Sequence, residues 1–116
     1  MAYKTLIRNK NHLKFIRELE CVFCASPFVQ AAHLRIGTDG GMGLKPSDHW
    51  VTPLCHAHHS KQHQIGERTF WKGYDPHTLC RELFLLTGLH DDALAAIERM
   101  RDARRRDVSE EAQRCW

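Results

Sequence analysis

A chain of 116 residues, 42% hydrophobic and 27% charged, suits one soluble domain with one modest core. No apolar run approaches the roughly 20 residues needed to cross a bilayer. Met1 to Lys10 lacks the apolar stretch of a signal peptide. These features predict a cytoplasmic protein without membrane contact.

A net charge of +3 does not by itself establish a nucleic-acid partner. The distribution says more. Lys4, Arg8, Lys10, Lys14 and Arg17 crowd the front, and Arg99, Arg101, Arg104, Arg105 and Arg106 crowd the back. Either cluster has the charge to touch phosphates, although a solvated helix face explains each equally well when taken alone.

No repeat and no linker divides the chain. Asn11 to Glu20 is expected to form a short helix that buries Leu13, Phe15, Ile16 and Leu19. Phe28 to Leu34 is short and mostly apolar, which predicts a strand. Arg35 to Asp48 holds four glycines and Pro46 and is a loop by composition. His49 to Leu54 is a second strand, stopped by Pro53 at its edge or end. Cys55 to Ile65 is helical, with Gly66 as its C-terminal stop. Asp75-Pro76 starts a further helix with apolar Leu79, Leu83, Phe84 and Leu86, ended by Gly88. Asp91 and Asp92 can cap a last helix bearing Leu94, Ile97 and Met100. Val108 to Trp116 is polar and terminal, so fraying is expected there. Phe70-Trp71 reads as core rather than as a surface for stacking bases.

The chain has nine histidines and five cysteines, an odd thiol count that favours metal over disulfides in a reduced compartment. A structural zinc site needs four ligands in tetrahedral array. Cys21-x2-Cys24 supplies two on a tight turn, and Cys55-x2-His58 supplies two across the first turn of a helix. Cys80 and Cys115 are left as ordinary thiols. The same helix carries His56, His59 and His63. At about 100° per residue, His59 and His63 lie only about 40° apart around the axis, whereas His58 and His59 diverge by about 100°. One helix can therefore serve two metals, with His58 turned to the zinc and His59 and His63 turned elsewhere. His56 falls near that second face and is a rival ligand. His33, at the end of the first strand, draws interest from its setting: strand, glycine loop, strand, metal helix.

Ala32-His33-Leu34-Arg35, the loop from Gly40 to Asp48, and Pro53-Leu-Cys-His-Ala-His-His-Ser-Lys-Gln-His63 together resemble the HNH nucleases, the ββα-metal or His-Me finger group. The likeness runs from about Asn11 to Tyr74. More narrowly, the sequence looks like a phage and prophage HNH family that includes the recombination-enhancing nuclease Ref. The resemblance implies an α+β fold. Its small ββα-metal core, about 11–74, would carry the structural zinc and the N-terminal helix. Two C-terminal helices would follow over about 75–106, then a tail over 107–116.

It further implies a DNA endonuclease in which His33 is the general base and His59 and His63 bind a catalytic Mg²⁺, Mn²⁺ or Zn²⁺. The family's central asparagine has no counterpart. Asp48 is the nearest match, to orient His33 or ligate the metal, with His49 a lesser substitute. Ala32 stands where many relatives have a further metal ligand, so the ligand set departs from the usual pattern. Arg35 and Lys45 flank the glycine loop and can grip phosphates. Glu67 has a minor claim to support the metal helix. No base-reading element is evident, so DNA is expected to be bound with little sequence specificity, as single or double strands. A recombination-protein partner is suggested by the resemblance alone. Two other classes compete with the nuclease. A noncatalytic zinc module that binds nucleic acid would explain the CxxC pair and basic clusters but not His33, His59 and His63 together. A partner-binding zinc protein would use its C-terminal helices.

Overall fold

A computed structural model describes residues 6–41 and 43–115, with side chains described through residue 103. It is an α+β arrangement in the order α1 (Lys10–Arg17), β1 (Val29–His33), β2 (Val51–Cys55), α2 (His56–Ile65), α3 (Glu67–Phe70), α4 (Pro76–Leu85) and α5 (His90–Cys115). None of the helices described is long and apolar enough to cross a membrane.

Helix α1 starts because the Asn9 side chain accepts the His12 N–H, satisfying one orphan donor of the first turn. It buries His12, Phe15 and Ile16, the i, i+3, i+4 stripe of one helix face. His12 is fully buried, and its Nδ1 lies 2.8 Å from the Thr87 hydroxyl. Burial holds its pKa down at about 4, so it packs as a neutral ring. After α1 the chain makes the tight turn of Cys21 to Cys24. Ala25 adopts a left-handed φ of 62° there, and the Cys21 N–H reaches the Ser26 carbonyl at 2.9 Å.

Strands β1 and β2 pair antiparallel, with Val29 opposite Cys55, Ala31 opposite Pro53 and His33 opposite Val51. All five β2 residues are buried, because α1, α2 and α4 all pack on this strand. Pro53 does not stop the strand as expected; β2 runs through it to Cys55. The Pro53 carbonyl accepts the Val22 N–H at 3.1 Å. A strand residue points its N and O to one side, so the missing proline N–H faces the Val22 turn and leaves the β1 ladder intact.

The glycine-containing loop between the strands is held rather than free. Gly41 and Leu44 form an isolated bridge. A Cβ on Gly40 would sit 2.6 Å from the Pro46 ring, so this close approach admits only glycine. The Asp39 carboxylate accepts both the Ser47 N–H and the Ser47 hydroxyl. The segment before α1 lies along the same loop: Ile7 N–H donates to Ser47 Oγ at 2.8 Å, and Asp48 N–H to the Ile7 carbonyl at 2.8 Å.

Cys55 is the N-cap of α2, and Gly66 closes the helix with a φ of 87°. The single turn α3 was not expected from the sequence; it places Phe70 and Trp71 in the core. Asp75 caps α4 by accepting the Thr78 N–H at 3.1 Å, with Pro76 in the first turn. In α5, Asp91 and Asp92 occupy the first turn rather than the cap, where they still complement the helix dipole.

Arg101 of α5 is buried and belongs to no phosphate-binding face. It donates to the carbonyls of Cys21 at 2.7 Å and Val22 at 3.3 Å, and pairs with Glu20 at 3.4 Å. Arg99 pairs with Glu82 at 3.4 Å. The side chains of Arg104, Arg105, Arg106 and Cys115 lie outside the described residues. Replacing Arg101 with alanine leaves buried carbonyls unpaired. It should lower unfolding free energy by about 2–4 kcal/mol, read as a reduced urea midpoint at unchanged m-value.

Candidate metal centre and histidine site

Four side chains converge where the turn after α1 meets the β2–α2 junction. The sulfurs of Cys21, Cys24 and Cys55 and a ring nitrogen of His58 all lie within 4.8 Å of one another. Cys24 Sγ is 3.6 Å from Cys55 Sγ. His58 Nδ1 is 3.1 Å from Cys55 Sγ and 3.5 Å from Cys21 Sγ. These four residues, which the spacing singled out, could hold one metal ion. Although Cys24 is largely exposed, partial desolvation of its sulfur, with the neighbouring Cys21 and Cys55 sulfurs, pushes its thiol up to about 11. Cys55 is pulled down against its own burial, first by the backbone amide of His58. A cation bound here would override the Cys24 shift and act in the same direction as that of Cys55, since a coordinating thiol gives up its proton. Phe23 packs edge-on against the His58 ring at 5.5 Å and against Phe70 and Trp71, each at 5.1 Å, so an aromatic wall backs the cluster. Cys80 stands apart, fully buried in α4, where burial raises its thiol pKa.

The other face of α2 carries His59 and His63. Their Nε2 atoms are 3.2 Å apart, the separation that the four-residue spacing leads one to expect. His59 Nδ1 lies 2.6 Å from the Gln30 side-chain oxygen of β1. With Nδ1–H donating to that oxygen, the His59 Nε2 lone pair faces His63. Burial first, then the neighbouring His63, His56 and His33, lowers the His59 pKa. His56 lines a separate cleft beside Arg17, Phe28 and Gln30 and does not join the pair within ligand range. Among the described residues no third His, Cys, Asp or Glu joins His59 and His63 within ligand range.

At the far end of β1, His33 Nε2 is 2.9 Å from Asp48 Oδ1. His33 Nδ1 has no protein partner among the described residues. Asp48 is buried, and both its oxygens are engaged. Oδ1 also accepts from Arg8 at 3.3 Å, and Oδ2 accepts the Asn9 N–H at 2.8 Å. Burial lowers the His33 pKa. Its bond to Asp48 opposes this, while the charges of Lys45 and Arg8 add to it. Asp48 itself is held below the usual carboxylate range. Burial acts against that, but the His33 bond, the Asn9 amide and Arg8 outweigh it. His49 stacks on Trp50 and Phe84 instead, at 5.0 and 5.5 Å between ring centres.

Glu67 has a defined place. Its carboxylate accepts the Arg35 N–H at 2.8 Å and the Ile36 N–H at 2.8 Å, tying the end of β1 to α3. Arg35 and His63 line one cleft of about 380 Å³ together with Glu67 and Arg68. Lys45 is exposed and within electrostatic reach of His33. Sequence reasoning missed Arg8, Asn9 and Gln30 as members of this region. Arg8 was visible as a front-cluster cation, but nothing local marks Asp48 and the Lys45 and Pro46 carbonyls as its targets.

A family profile matches residues 3–84, most of the chain and all of the site. The chain belongs to that family, described as a protein of unknown function, DUF968. The shared segment runs from before α1 to the end of α4, so the family's extent includes Arg8, His33, Asp48 and the whole of α2 but stops short of α5. Over 54 residues the chain is 33% identical to the uncharacterized protein YdfU of Escherichia coli strain K12. That stretch is 47% of this chain and 16% of YdfU, so the likeness is to one portion of a much longer protein. No solved structure matches the chain.

The four-donor cluster makes a direct prediction. Purified protein should carry about one tightly held metal ion per chain by elemental analysis, and prolonged chelation should lower its melting temperature. Cys24→Ser, at an exposed ligand, should weaken metal retention at least tenfold without creating a cavity. Full retention in that variant would remove the residue from the site.

Proposed function

We propose that the chain is a metal-dependent endonuclease of the HNH type that hydrolyses DNA phosphodiester bonds, built on a structural zinc. The observation that carries the reading is the His33–Asp48 bond at 2.9 Å, beside a helix that offers two histidine nitrogens 3.2 Å apart. Both stand on a strand–strand–helix unit in the order β1, β2, α2.

The cluster chemistry supports zinc in the structural position. Tetrahedral Zn–S bonds of about 2.3 Å and Zn–N bonds of about 2.0 Å place donor atoms roughly 3.5–3.8 Å apart. The separations of 3.5 and 3.6 Å fit that cage, and 3.1 Å is slightly tight. Three thiolates and one imidazole are a closed zinc set with no position left for substrate. Its role is to fix α2.

Asp48 Oδ1 accepts the His33 Nε2–H and so selects the tautomer whose Nδ1 lone pair is open. With its pKa lowered, His33 is neutral at pH 7 and can take a proton from a water aimed at phosphorus. The resulting imidazolium is stabilised by the Asp48 carboxylate, which is already ionised. Because both Asp48 oxygens are occupied, its role is to orient His33 rather than to ligate a metal. His59 and His63 would hold a divalent ion, Mg²⁺, Mn²⁺ or Zn²⁺, which supplies charge stabilisation for the scissile phosphate and the departing 3′ oxygen. Arg35 and Lys45 extend from the two ends of the loop and would grip flanking phosphates.

The competing reading is a noncatalytic zinc module on nucleic acid. It accounts for the cysteine cluster and leaves the His33–Asp48 bond without a purpose. Incubating the zinc-loaded protein with plasmid and single-stranded DNA and Mg²⁺, Mn²⁺ or added Zn²⁺ separates the two. Cleavage is expected, reduced about 10²- to 10⁴-fold in His33→Ala with zinc content and melting temperature retained. Binding without cleavage under every metal would leave the noncatalytic module.

The pH dependence follows from the sign of the His33 shift. Protonation removes the base, so the rate should rise with pH along an acid limb whose midpoint lies below the ordinary histidine value of about 6.5. Asp48 raises the His33 pKa, so Asp48→Asn should lower the rate and move that limb further toward acid. An acid limb at or above pH 7 in the wild type would contradict the assignment of His33.

A further inference from the structure

Phe28 is 84% exposed at the foot of β1, so its ring face is open to a ligand. It lines a cleft of about 390 Å³ with Arg17, Pro27, Val29, Gln30 and His56. No carboxylate lines this cleft. The Arg17 guanidinium, in the last turn of α1, makes no side-chain hydrogen bond or ion pair among the described residues. The His56 imidazole lines the cleft as well. Glu18 follows Arg17 in sequence, but its carboxylate turns to His90 at 3.6 Å and does not line the cleft. A flat apolar ring beside an unpaired guanidinium, in a cleft lined by no carboxylate, complements a nucleobase attached to a phosphate.

Gln30 connects this cleft to the histidine pair. It lines the cleft, and its side-chain oxygen also holds His59 Nδ1 at 2.6 Å. A strand whose phosphate lies at His59 and His63 would therefore pass Gln30 on its way to Phe28. A base inside a duplex is stacked on both faces and cannot offer one to a side chain, whereas an unpaired base can.

We propose that Phe28, with Arg17 and His56, forms a subsite that stacks an unpaired base of single-stranded DNA next to the histidine pair. The placement relative to a cleaved bond rests on the nuclease reading above; the binding itself does not. The subsite gives the protein a preference for single strands, flaps or gapped DNA without reading sequence.

The test is binding of a fluorescein-labelled 15-nucleotide oligo(dT) to the zinc-loaded full chain by anisotropy, with no other divalent ion added. Phe28→Ala should weaken binding about 5- to 150-fold, the range of one lost base–aromatic stack. Phe28→Trp should stay within about threefold of wild type, and Phe28→Leu should resemble alanine, which separates stacking from simple apolar burial. Because the side chain is exposed, zinc content and melting temperature should not change. Arg17→Ala should flatten the dependence of log K on log salt by about 0.7, one phosphate contact on a single strand.

A 20-base-pair blunt duplex should bind Phe28→Ala within about twofold of wild type. Equal losses on duplex and oligo(dT), unchanged oligo(dT) binding in Phe28→Ala, or a dimer of the chain dispersed by that substitution would each overturn the subsite. Tighter, Phe28-dependent binding of oligo(rU) would overturn the assignment to DNA. The two readings fail separately. His33-dependent cleavage with Phe28-independent binding removes the subsite alone. Phe28-dependent binding in a protein that never cleaves removes the nuclease and keeps the subsite.

Discussion

The direction in which α2 points depends on one cluster. Cys21 and Cys24 come from the turn after α1, and Cys55 and His58 from the β2–α2 junction more than thirty residues later. Bringing these donors within 4.8 Å closes the chain over β1 and the glycine-containing loop. It also sets the rotation of α2 about its axis. Once His58 faces the sulfurs, its neighbours are committed: His59 is turned about 100° away and His63 comes round beside His59. A helix this polar has no apolar stripe of its own to fix that rotation; among its residues only Gln62 is buried. Gln62 accepts the Trp71 indole N–H at 2.8 Å, a second and weaker anchor on the same helix. The cluster is gripped from behind as well, since Arg101 of α5 bonds to the carbonyls of Cys21 and Val22.

Asp48 is the corresponding point for the other half of the site. A buried carboxylate is costly unless its oxygens are satisfied. Here they are satisfied by His33, Arg8 and the Asn9 amide, three partners from two segments far apart in sequence. The segment before α1 is thereby part of the site. Removing the Arg8 charge would not merely trim a surface cation. It would leave the carboxylate leaning harder on His33 and would free the Lys45 and Pro46 carbonyls. The same contacts seat Lys45, so the loop and the His33 environment change together.

What the sequence disclosed and what it hid follow a physical division. Features set within one or two turns of chain were legible. Each of the Cys-x2-Cys and Cys-x2-His pairs presents its two donors together, Asp75-Pro76 starts α4, Gly66 ends α2, and His59 faces His63 because helical geometry alone decides it. That the two pairs then meet was inferred from the chemistry of a four-donor metal site, not from local geometry. Features decided by a distant partner were not. Pro53 looked like the end of a strand because its harmlessness depends on Val22 lying on its nitrogen side. Arg8 and Arg101 looked like free cations because their acceptors are carbonyls about 40 and 80 residues away. Gln30 gave no signal at all; an exposed glutamine in a strand is ordinary until a histidine from α2 lands on it. Asp48 came only from a resemblance, and nothing in its own neighbourhood foretold a buried carboxylate.

The two clefts beside α2 differ in a way that bears on how a strand could lie. The Arg35 cleft contains Glu67, but that carboxylate is spent on the Arg35 and Ile36 amides, which leaves the guanidinium of Arg35 to face outward. The Phe28 cleft contains no carboxylate and carries the Phe28 phenyl ring. Phosphate recognition needs charge alone, whereas holding a base needs a flat apolar surface, so the two ends of α2 suit different parts of a nucleotide. His59 and His63 lie between them, with Gln30 bordering one cleft and His63 the other. In the proposed reading this order gives a strand a direction across the site: sugar–phosphate toward Arg35, an unpaired base toward Phe28. A rigid duplex would have to distort to satisfy both ends, and a single strand would not, which is the physical basis for expecting structure rather than sequence to select the substrate.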